Sequence, residues 1–265
     1  MGDRVKRKAG IVFGGGQTPG ETIGNGRATA LLLGREGASV LVVDRDLASA
    51  EETAGMIRNE GGEASAVTAD VIDEGQIETA IRACLDQYGR IDLLHNNVGA
   101  SLALGDAPAT ELTTEAFDRI VAVNLRGMWL ACKHALPQMR EQGSGSIVNI
   151  SSMAVREAYP YLGYKTTKAG VVSLTENLAM ANAQYGIRAN CILPGLMNTP
   201  MAIEARVAAG MPREEVIAQR NARVPLGRKM GSGWDVAYAS LFLHSDEAGF
   251  ITGVSLPVDG GAGVS

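Results

Sequence analysis

The chain has 265 residues, of which 46% are hydrophobic and 20% are charged, and its formal net charge is −5. This length and composition are typical of a globular protein with a large buried core, and the acidic balance argues against nucleic acid or an anionic membrane as a partner. With only 3 cysteines, far apart, and 3 histidines, neither a disulfide framework nor a bound metal is expected.

The apolar runs predict a soluble, cytoplasmic protein. None reaches the roughly 18 residues of a membrane span, and the N-terminus has no signal-peptide apolar region. Cys84, Cys132 and Cys191 each lie in an apolar run, which favours buried free thiols in a reducing compartment.

Short β-rich runs alternate with longer helical patterns along the chain. Strands are predicted at 9–13, 38–44, 63–70, 91–97, 145–152 and 187–193, and helices at 26–37, 46–61, 73–89, 114–142 and 160–186. Apolar runs bounded by Gly and Asp suit strands buried on both faces, and the alternation implies right-handed crossovers. We therefore expect an α/β fold, in which residues 1–265 form a single-domain Rossmann-type doubly wound parallel sheet with helices on both faces.

Residues 196–233 break this rhythm with two short helical patterns separated by Gly210–Pro212. An insertion after a late strand is typical of a lid over a ligand crevice, and this segment is predicted to be one.

A glycine-rich loop, "FGGGQTPGETIGNGRATA" (13–30), follows the first predicted strand. Between a strand and a helix, such a loop presents backbone N–H groups and a helix N-terminus to a pyrophosphate. The candidate residues for dinucleotide binding are Gly14, Gly16, Gly24, Asn25 and Gly26.

The second predicted strand ends at Asp44, twenty residues after Gly24. A carboxylate there accepts hydrogen bonds from the adenosine ribose hydroxyls and repels a 2′-phosphate, which favours NAD(H) over NADP(H). Arg45 follows and would weaken that repulsion. Asp46 is the better candidate for capping the next helix, which leaves Asp44 for the ribose.

The phrase "GYKTTKAG" (163–170) carries the predicted chemistry. Hydride transfer at a nicotinamide makes or consumes an alkoxide, so a nearby group must move a proton. A free tyrosine has a pKa of about 10, too high for a base at neutral pH, and a nearby ammonium lowers it. Because side chains at i and i+4 share a helix face, Lys168 is expected beside Tyr164.

These motifs, in this order, resemble the short-chain dehydrogenase/reductase family over essentially the full chain. The matching pieces are the glycine loop 14–26, Asp70, "NNVG" (96–99), Asn124, "ISS" (150–152), the Tyr164/Lys168 pair, "PGLMNT" (194–199) and the ending "FITGVSLPVDGG" (250–261). The resemblance implies an NAD-dependent oxidoreductase for a secondary alcohol or ketone, and a homotetramer.

The resemblance also implies further site residues. Asp70 and Val71 would lie at the adenine edge, and Asn97, Val98 and Gly99 on the adenosine-ribose side. Pro194, Gly195, Leu196 and Thr199 would shape the nicotinamide end, and Lys168 would also bind the nicotinamide ribose. Asn124 resembles the residue that holds a proton-relay water near the lysine. A serine of "ISS" would hold the substrate oxygen.

Two serines remain candidates for that last role. The family places its serine thirteen residues before the tyrosine, and here Ser151 lies thirteen and Ser152 twelve before Tyr164. Since a loop absorbs one deletion, alignment on "NISS" favours Ser152 and leaves Ser151 as a structural hydroxyl.

The cofactor loop departs from the family pattern. Phe13 replaces the usual threonine, and "QTPGET" (17–22) adds six residues before Gly24. A long loop is similar to that of the enoyl-reductase branch, which uses a tyrosine and a lysine seven positions apart, as Tyr161 and Lys168 are. The alternatives are therefore reduction of a conjugated C=C with Tyr161, or a dinucleotide-binding protein without catalysis.

Overall fold

Seven parallel strands form the centre of the computed structural model, which describes residues 2–265. The strands are β1 (Ala9–Phe13), β2 (Ser39–Asp44), β3 (Glu63–Thr68), β4 (Leu93–Asn96), β5 (Gly145–Ile150), β6 (Ile187–Pro194) and β7 (Ser255–Val258). Their order in the sheet is β3-β2-β1-β4-β5-β6-β7. The chain reverses direction across the sheet between β1 and β4, and ligands of open α/β sheets bind in the crevice at such a point.

Nine α-helices surround the sheet in the described residues. They are α1 (Asn25–Arg35), α2 (Leu47–Asn59), α3 (Glu74–Tyr88), α4 (Thr114–Val121), α5 (Gly127–Gln142), α6 (Leu162–Asn182), α7 (Pro200–Ala208), α8 (Arg213–Ala222) and α9 (Gly233–His244). Helices α1, α2 and α9 share one apolar cluster with the sheet, and α3, α5 and α6 share another. The predicted doubly wound Rossmann-type fold is confirmed.

Local signals in the sequence account for several element boundaries. All five residues of β1 are buried, as expected for a strand covered on both faces. The Asp46 carboxylate caps α2 by accepting from the backbone N–H groups of Ala48 and Ser49, as predicted. Helix α3 ends at Gly89, whose φ of 72° suits glycine. The cysteines are buried free thiols, also as predicted.

Three differences from the sequence prediction affect the site. The helix predicted at 114–142 is divided by a π-turn at Ala122–Arg126. The strand predicted at 145–152 ends at Ile150, so Ser151 and Ser152 follow it rather than alternate within it. Helix α9 and strand β7 were not predicted.

None of the helices within residues 2–265 is long and apolar enough to cross a membrane.

Candidate active site

The glycine loop lies tightly against the ends of β2 and β4. The backbone N–H groups of Gly14 and Gly15 both donate to Val43 O, at 2.8 and 3.1 Å. The N–H of Gly16 donates to Oδ2 of Asp44 at 3.1 Å. The glycine turn and the Asp44 carboxylate at the end of β2 are therefore in direct contact. Both are predicted to bind the same dinucleotide, which requires them to be close together.

The start of α1 has the features of a pyrophosphate cradle. A methyl group at Gly26 would lie 1.9 Å from Gly14 O, so only glycine fits there. The N-cap Gly24 supplies no side-chain cap and the first turn has no acidic residue. Oδ1 of Asn25 is buried without a hydrogen-bond partner among the described residues. A helix N-terminus with free N–H groups suits a phosphate, so these residues fit a dinucleotide.

Gln17 organises the six extra residues of the loop. Its backbone N–H donates to Oγ of Ser49 at 2.8 Å, and its Oε1 accepts from the N–H of Gly24 at 2.9 Å. The side chain thereby bridges the two ends of the insertion. The insertion is a folded part of the cofactor loop.

The residues assigned to the adenosine half lie at the ends of β3 and β4. Nδ2 of Asn97 donates to Gly14 O at 3.1 Å. Val98 contacts the same turn, since a methyl group at Gly14 would lie 3.0 Å from its Cγ2. The Asp70 carboxylate accepts from Ile72 N at 3.1 Å, beside the buried Val71. Arg45 is exposed next to Asp44.

Lys168 is buried beside Tyr164. Its side chain is only 2% exposed, and Nζ donates to Ile150 O at 2.7 Å and lies 5.7 Å from the Tyr164 ring centroid. A methyl group at Gly99 would come within 2.7 Å of Nζ and 3.4 Å of Oδ1 of Asn124. Gly99 therefore leaves the space in which these polar groups meet.

The π-turn places Asn124 at this point. Its side chain is 0% exposed and pairs twice with Ala100: Nδ2 donates to Ala100 O and Oδ1 accepts from Ala100 N, both at 2.9 Å. Nδ2 also lies 3.3 Å from Oγ1 of Thr167 in α6. The amide thus joins the β4 loop to α6, and π-turns of this kind are frequent at functional sites.

Burial dominates the ionisation of the pair. It raises the pKa of Tyr164 to about 12, while the Ser152 side chain lowers it by hydrogen bonding and Asp106 raises it by its charge. Burial also lowers the pKa of Lys168 to about 8. The net shift of the tyrosine is opposite to the lowering that the sequence predicted. The phenol is held neutral, with its proton available for donation.

The two candidate serines have different surroundings. Ser151 is buried, and its Oγ donates to Lys168 O, at 2.7 Å, within α6. Ser152 is partly exposed, and its Oγ accepts from Ala154 N at 3.1 Å, which leaves its proton free. The Ser152 side chain lowers the pKa of the Tyr164 phenol, whereas the Ser151 hydroxyl is committed to the helix backbone.

Asp106 is a site residue that the sequence analysis missed. Its carboxylate accepts from Gly163 N at 2.9 Å and from Tyr164 N at 3.0 Å, and so caps the start of α6. Ser101 donates to the same carboxylate at 2.8 Å and lies 3.2 Å from the hydroxyl of Tyr159. The only signal in the sequence is an aspartate in the loop that follows "NNVG" (96–99).

Tyr161 precedes Lys168 by seven positions and Tyr164 by three. It is the N-cap residue of α6, and its ring contacts Tyr159, with the centroids 5.6 Å apart. The Tyr159 ring is in turn 5.6 Å from that of Tyr164. Tyr159 thus contacts both of the other tyrosine rings.

The residues that follow β6 form the last part of the candidate site. The N–H of Gly195 donates to Val258 O at 2.9 Å, and Leu196 O accepts from Gly231 N at 3.2 Å. Thr199 is buried and is the N-cap residue of α7, directly before Pro200. Met197 and Gly231 form a β-bridge, so residues 197–231 begin and end at one point beside the site.

Comparison with known proteins identifies the family. A family model described as enoyl-(acyl carrier protein) reductase matches residues 21–263. A levodione reductase from Leifsonia aquatica is 35% identical, with 95% of this chain and 92% of the relative covered. A cis-4-hydroxycyclohexanecarboxylate dehydrogenase from Sinomonas cyclohexanicum is 37% identical, with 98% of each covered.

A solved structure agrees with these matches. The crystal structure of a protein described as a short-chain dehydrogenase/reductase from Burkholderia xenovorans superposes with a TM-score of 0.94 at 37% identity, covering 99% of both chains. A likeness this complete in sequence and in fold makes the chain an oxidoreductase of the short-chain dehydrogenase/reductase family.

Proposed function

We propose that this protein is a cytoplasmic, NAD-dependent oxidoreductase that interconverts a secondary alcohol and its ketone. The observation that carries the proposal is the burial of Lys168 against the ring of Tyr164, where Ile150 O is the one hydrogen-bond partner of Nζ within residues 2–265. A buried cation without a carboxylate is costly, and such groups cluster at sites where their charge is used.

Each residue has a defined role in this proposal. The nicotinamide group, when bound, accepts or supplies the hydride. In oxidation Tyr164 takes the hydroxyl proton, and in reduction it returns that proton to the ketone oxygen. Ser152 donates to the substrate oxygen, and Lys168 supplies positive charge next to the phenol. Asn124 holds the β4 loop against α6 near the lysine and supports a water relay there.

The remaining proposed residues hold the dinucleotide. The pyrophosphate lies on the turn and helix start formed by Gly14, Gly16, Gly24, Asn25 and Gly26. Asp44 and Arg45 face the adenosine ribose, and Asp70 and Val71 the adenine. The adenosine-ribose side of the dinucleotide is lined by Asn97, Val98 and Gly99. Its nicotinamide end is lined by Pro194, Gly195, Leu196 and Thr199.

We infer a preference for NAD over NADP from the position of Asp44. Its carboxylate sits at the end of β2, accepts from Gly16 N, and is not needed as the cap of α2. A 2′-phosphate would meet this negative charge. Fluorescence titration should show tighter binding of NADH than of NADPH, and Asp44→Asn should narrow the difference. Equal affinity in the unmodified protein would contradict the inference.

A substrate screen tests the proposed reaction. NAD reduction should occur with one or more members of a panel of cyclic alcohols, steroids, polyols and hydroxyacyl esters. Cyclic compounds are included because the names of two relatives specify levodione and cis-4-hydroxycyclohexanecarboxylate. Absence of turnover throughout the panel, with intact NAD binding, would favour the non-catalytic reading of the chain.

The description of the matching family model supports a second candidate, reduction of a conjugated C=C with Tyr161. Tyr161 lies one helical turn farther from Lys168 than Tyr164 does. An enoyl thioester with NADH is the direct assay, and turnover there but not with alcohols would establish this candidate.

We also propose a homotetramer formed through the long helices. Trp129 on α5 and Met180 on α6 are 46% and 73% exposed, and large apolar side chains at such positions suit contact between subunits. Light scattering should give four times the chain mass, and a stable monomer would contradict this.

A further inference from the structure

The segment 197–231 is a packed unit with its own apolar core. Ile203 of α7, Val216 of α8, Val224 and Met230 form a buried cluster. The bridge between Met197 and Gly231 closes the unit at its base. Side chains on α7 and α8 are therefore held in defined positions over the site.

Within residues 2–265, the Arg220 guanidinium of α8 donates hydrogen bonds to neutral groups of this unit. Its Nε donates to Sδ of Met230 at 3.2 Å, and its Nη2 donates to Met197 O at 3.3 Å. Arg206, on α7, donates to Ala202 O, one turn earlier in its own helix. Within residues 2–265 neither guanidinium forms an ion pair, and a guanidinium has five N–H donors, so most of these remain available.

A third arginine of the same unit shows the ordinary arrangement. Arg213 pairs with Glu204 in a bidentate contact, with Nη2 2.7 Å from Oε2, and with Glu21 at 3.6 Å. Glu204 and Arg206 are two positions apart on α7 and so point away from each other. The negative charge on this helix is thus used by Arg213 and does not reach Arg206.

Arg206 and Arg220 lie in the segment whose base adjoins the proposed nicotinamide end. Burial raises the pKa of the Tyr159 phenol, and the positive charge of Arg206 acts against that rise. The Tyr159 ring is 5.6 Å from that of Tyr164. Arg220 reaches Met197, three residues after Pro194 at the proposed nicotinamide end.

The charges in this group oppose one another. Burial lowers the pKa of Arg220 to about 10, and the charges of Arg206 and Arg223 act in the same direction. Neighbouring like charges without a counterion repel one another, which destabilises the folded protein. An anion bound between the guanidiniums would relieve this repulsion, and carboxylate, sulfonate and phosphate groups match the planar fork of arginine.

We propose that Arg206 and Arg220 form the anion-binding part of the substrate pocket, so that the substrate is a hydroxy or keto compound with an anionic group. This rests on the proposed function for the site and adds the class of its substrate. The anionic group binds under α7 and α8 while the carbinol carbon reaches Tyr164 and Ser152. A cofactor phosphate is the other anion that could occupy this place, and the experiment separates the two.

Matched pairs of acid and neutral ester test the proposal. The probes are 4-hydroxycyclohexanecarboxylate and 3-hydroxybutyrate with their methyl esters as substrates, and cyclohexanecarboxylate with its amide as unreactive ligands of the NADH complex. The variants are Arg206→Gln and Arg220→Lys. Lys229→Gln is the control, since it removes an exposed positive charge from the same segment.

We expect kcat/KM for the acids to exceed that for the esters by about tenfold or more, as a charge-assisted hydrogen bond provides. Arg206→Gln should abolish this preference with NADH affinity unchanged, and Lys229→Gln should preserve it. Arg220→Lys, which keeps the charge, should weaken it less. The unreactive carboxylate should bind the NADH complex more tightly than its amide does, and Arg206→Gln should remove that difference.

Three results would overturn the inference. Equal turnover of acids and esters, with alcohol oxidation intact, would contradict the anion site and leave the proposed function standing. A loss of NADH affinity in Arg206→Gln, with acid preference unchanged, would assign the arginine to a cofactor phosphate. A carboxylate that binds no better than its amide would also refute the site. Conversely, Arg206-dependent carboxylate binding without any hydride transfer would keep the anion site and reject the proposed reaction.

Discussion

Asp106 links the geometry of the proposed catalytic tyrosine to its ionisation. The carboxylate caps α6 through the N–H groups of Gly163 and Tyr164, and its charge raises the pKa of the Tyr164 phenol. The Tyr164/Lys168 pair was predictable because i and i+4 contacts are local to one helix. Asp106 was not, because its partners lie 57 and 58 residues away along the chain.

Replacing Asp106 with Asn should have two effects. Asn keeps one acceptor oxygen, so one of the two hydrogen bonds that Asp106 accepts from the backbone is lost, which should cost about 1 kcal/mol of unfolding free energy. Since oxidation needs the ionised phenol, its rate rises with pH, and removal of the nearby negative charge should move that profile to lower pH. Urea unfolding and the pH dependence of kcat measure the two. Asp73→Ala, which removes the cap of α3, is the control that should lose stability without moving the profile.

At the scale of elements, the inserted loop 17–22 and the segment 197–231 are joined by side chains. Arg213 contacts Glu21 of the loop and Glu204 of α7, and a methyl group at Gly20 would lie 2.9 Å from Pro200. The sequence indicated both segments but not their contact, because nothing in a single sequence records which loops meet. The π-turn around Asn124 was likewise missed, since "VNLRG" reads as continuous helix.

Breaking this link should loosen the predicted lid. In Arg213→Met the ion pairs are lost and the apolar stem is kept. Because the pairs are exposed to solvent, we expect a modest effect, a roughly two- to fivefold increase in the rate of proteolytic cleavage within 197–231. Limited proteolysis measures this rate. Arg82→Met, which breaks an exposed pair on α3, is the control, and equal cleavage of both variants would contradict the link.

At the scale of the whole molecule, two buried histidines pack against each other outside the proposed site. His95 of β4 and His244 of α9 lie with ring centroids 5.7 Å apart, and both are 0% exposed. Burial lowers the pKa of His95 to about 3 and that of His244 well below its usual value. Both rings are therefore neutral in the folded protein. Strand–helix alternation predicted a parallel sheet. The contact between the two histidines was not predicted, because His244 lies on α9, which was not predicted either.

Acid should destabilise the protein through this pair. The unfolded chain binds protons at both rings below about pH 6.5, while the folded chain excludes them, so stability is present above that pH and is lost as the pH falls toward about 3. From pH 7 to 5 the His95 ring contributes about 2 kcal/mol of this loss. His95→Leu should therefore lose about 2 kcal/mol less than the unmodified protein between these two pH values. Equal losses in urea unfolding would contradict the account.

The central claim is that Tyr164 moves the proton in a hydride-transfer reaction. Single-turnover hydride transfer, with NADH affinity measured alongside, tests it in Tyr164→Phe, and Tyr161→Phe is the matched control. We predict that Tyr164→Phe keeps its NADH affinity and loses about 10²–10⁴-fold in rate, as expected for loss of a general acid–base group, whereas Tyr161→Phe stays active. Near-normal hydride transfer in Tyr164→Phe, with intact cofactor binding, would contradict the account.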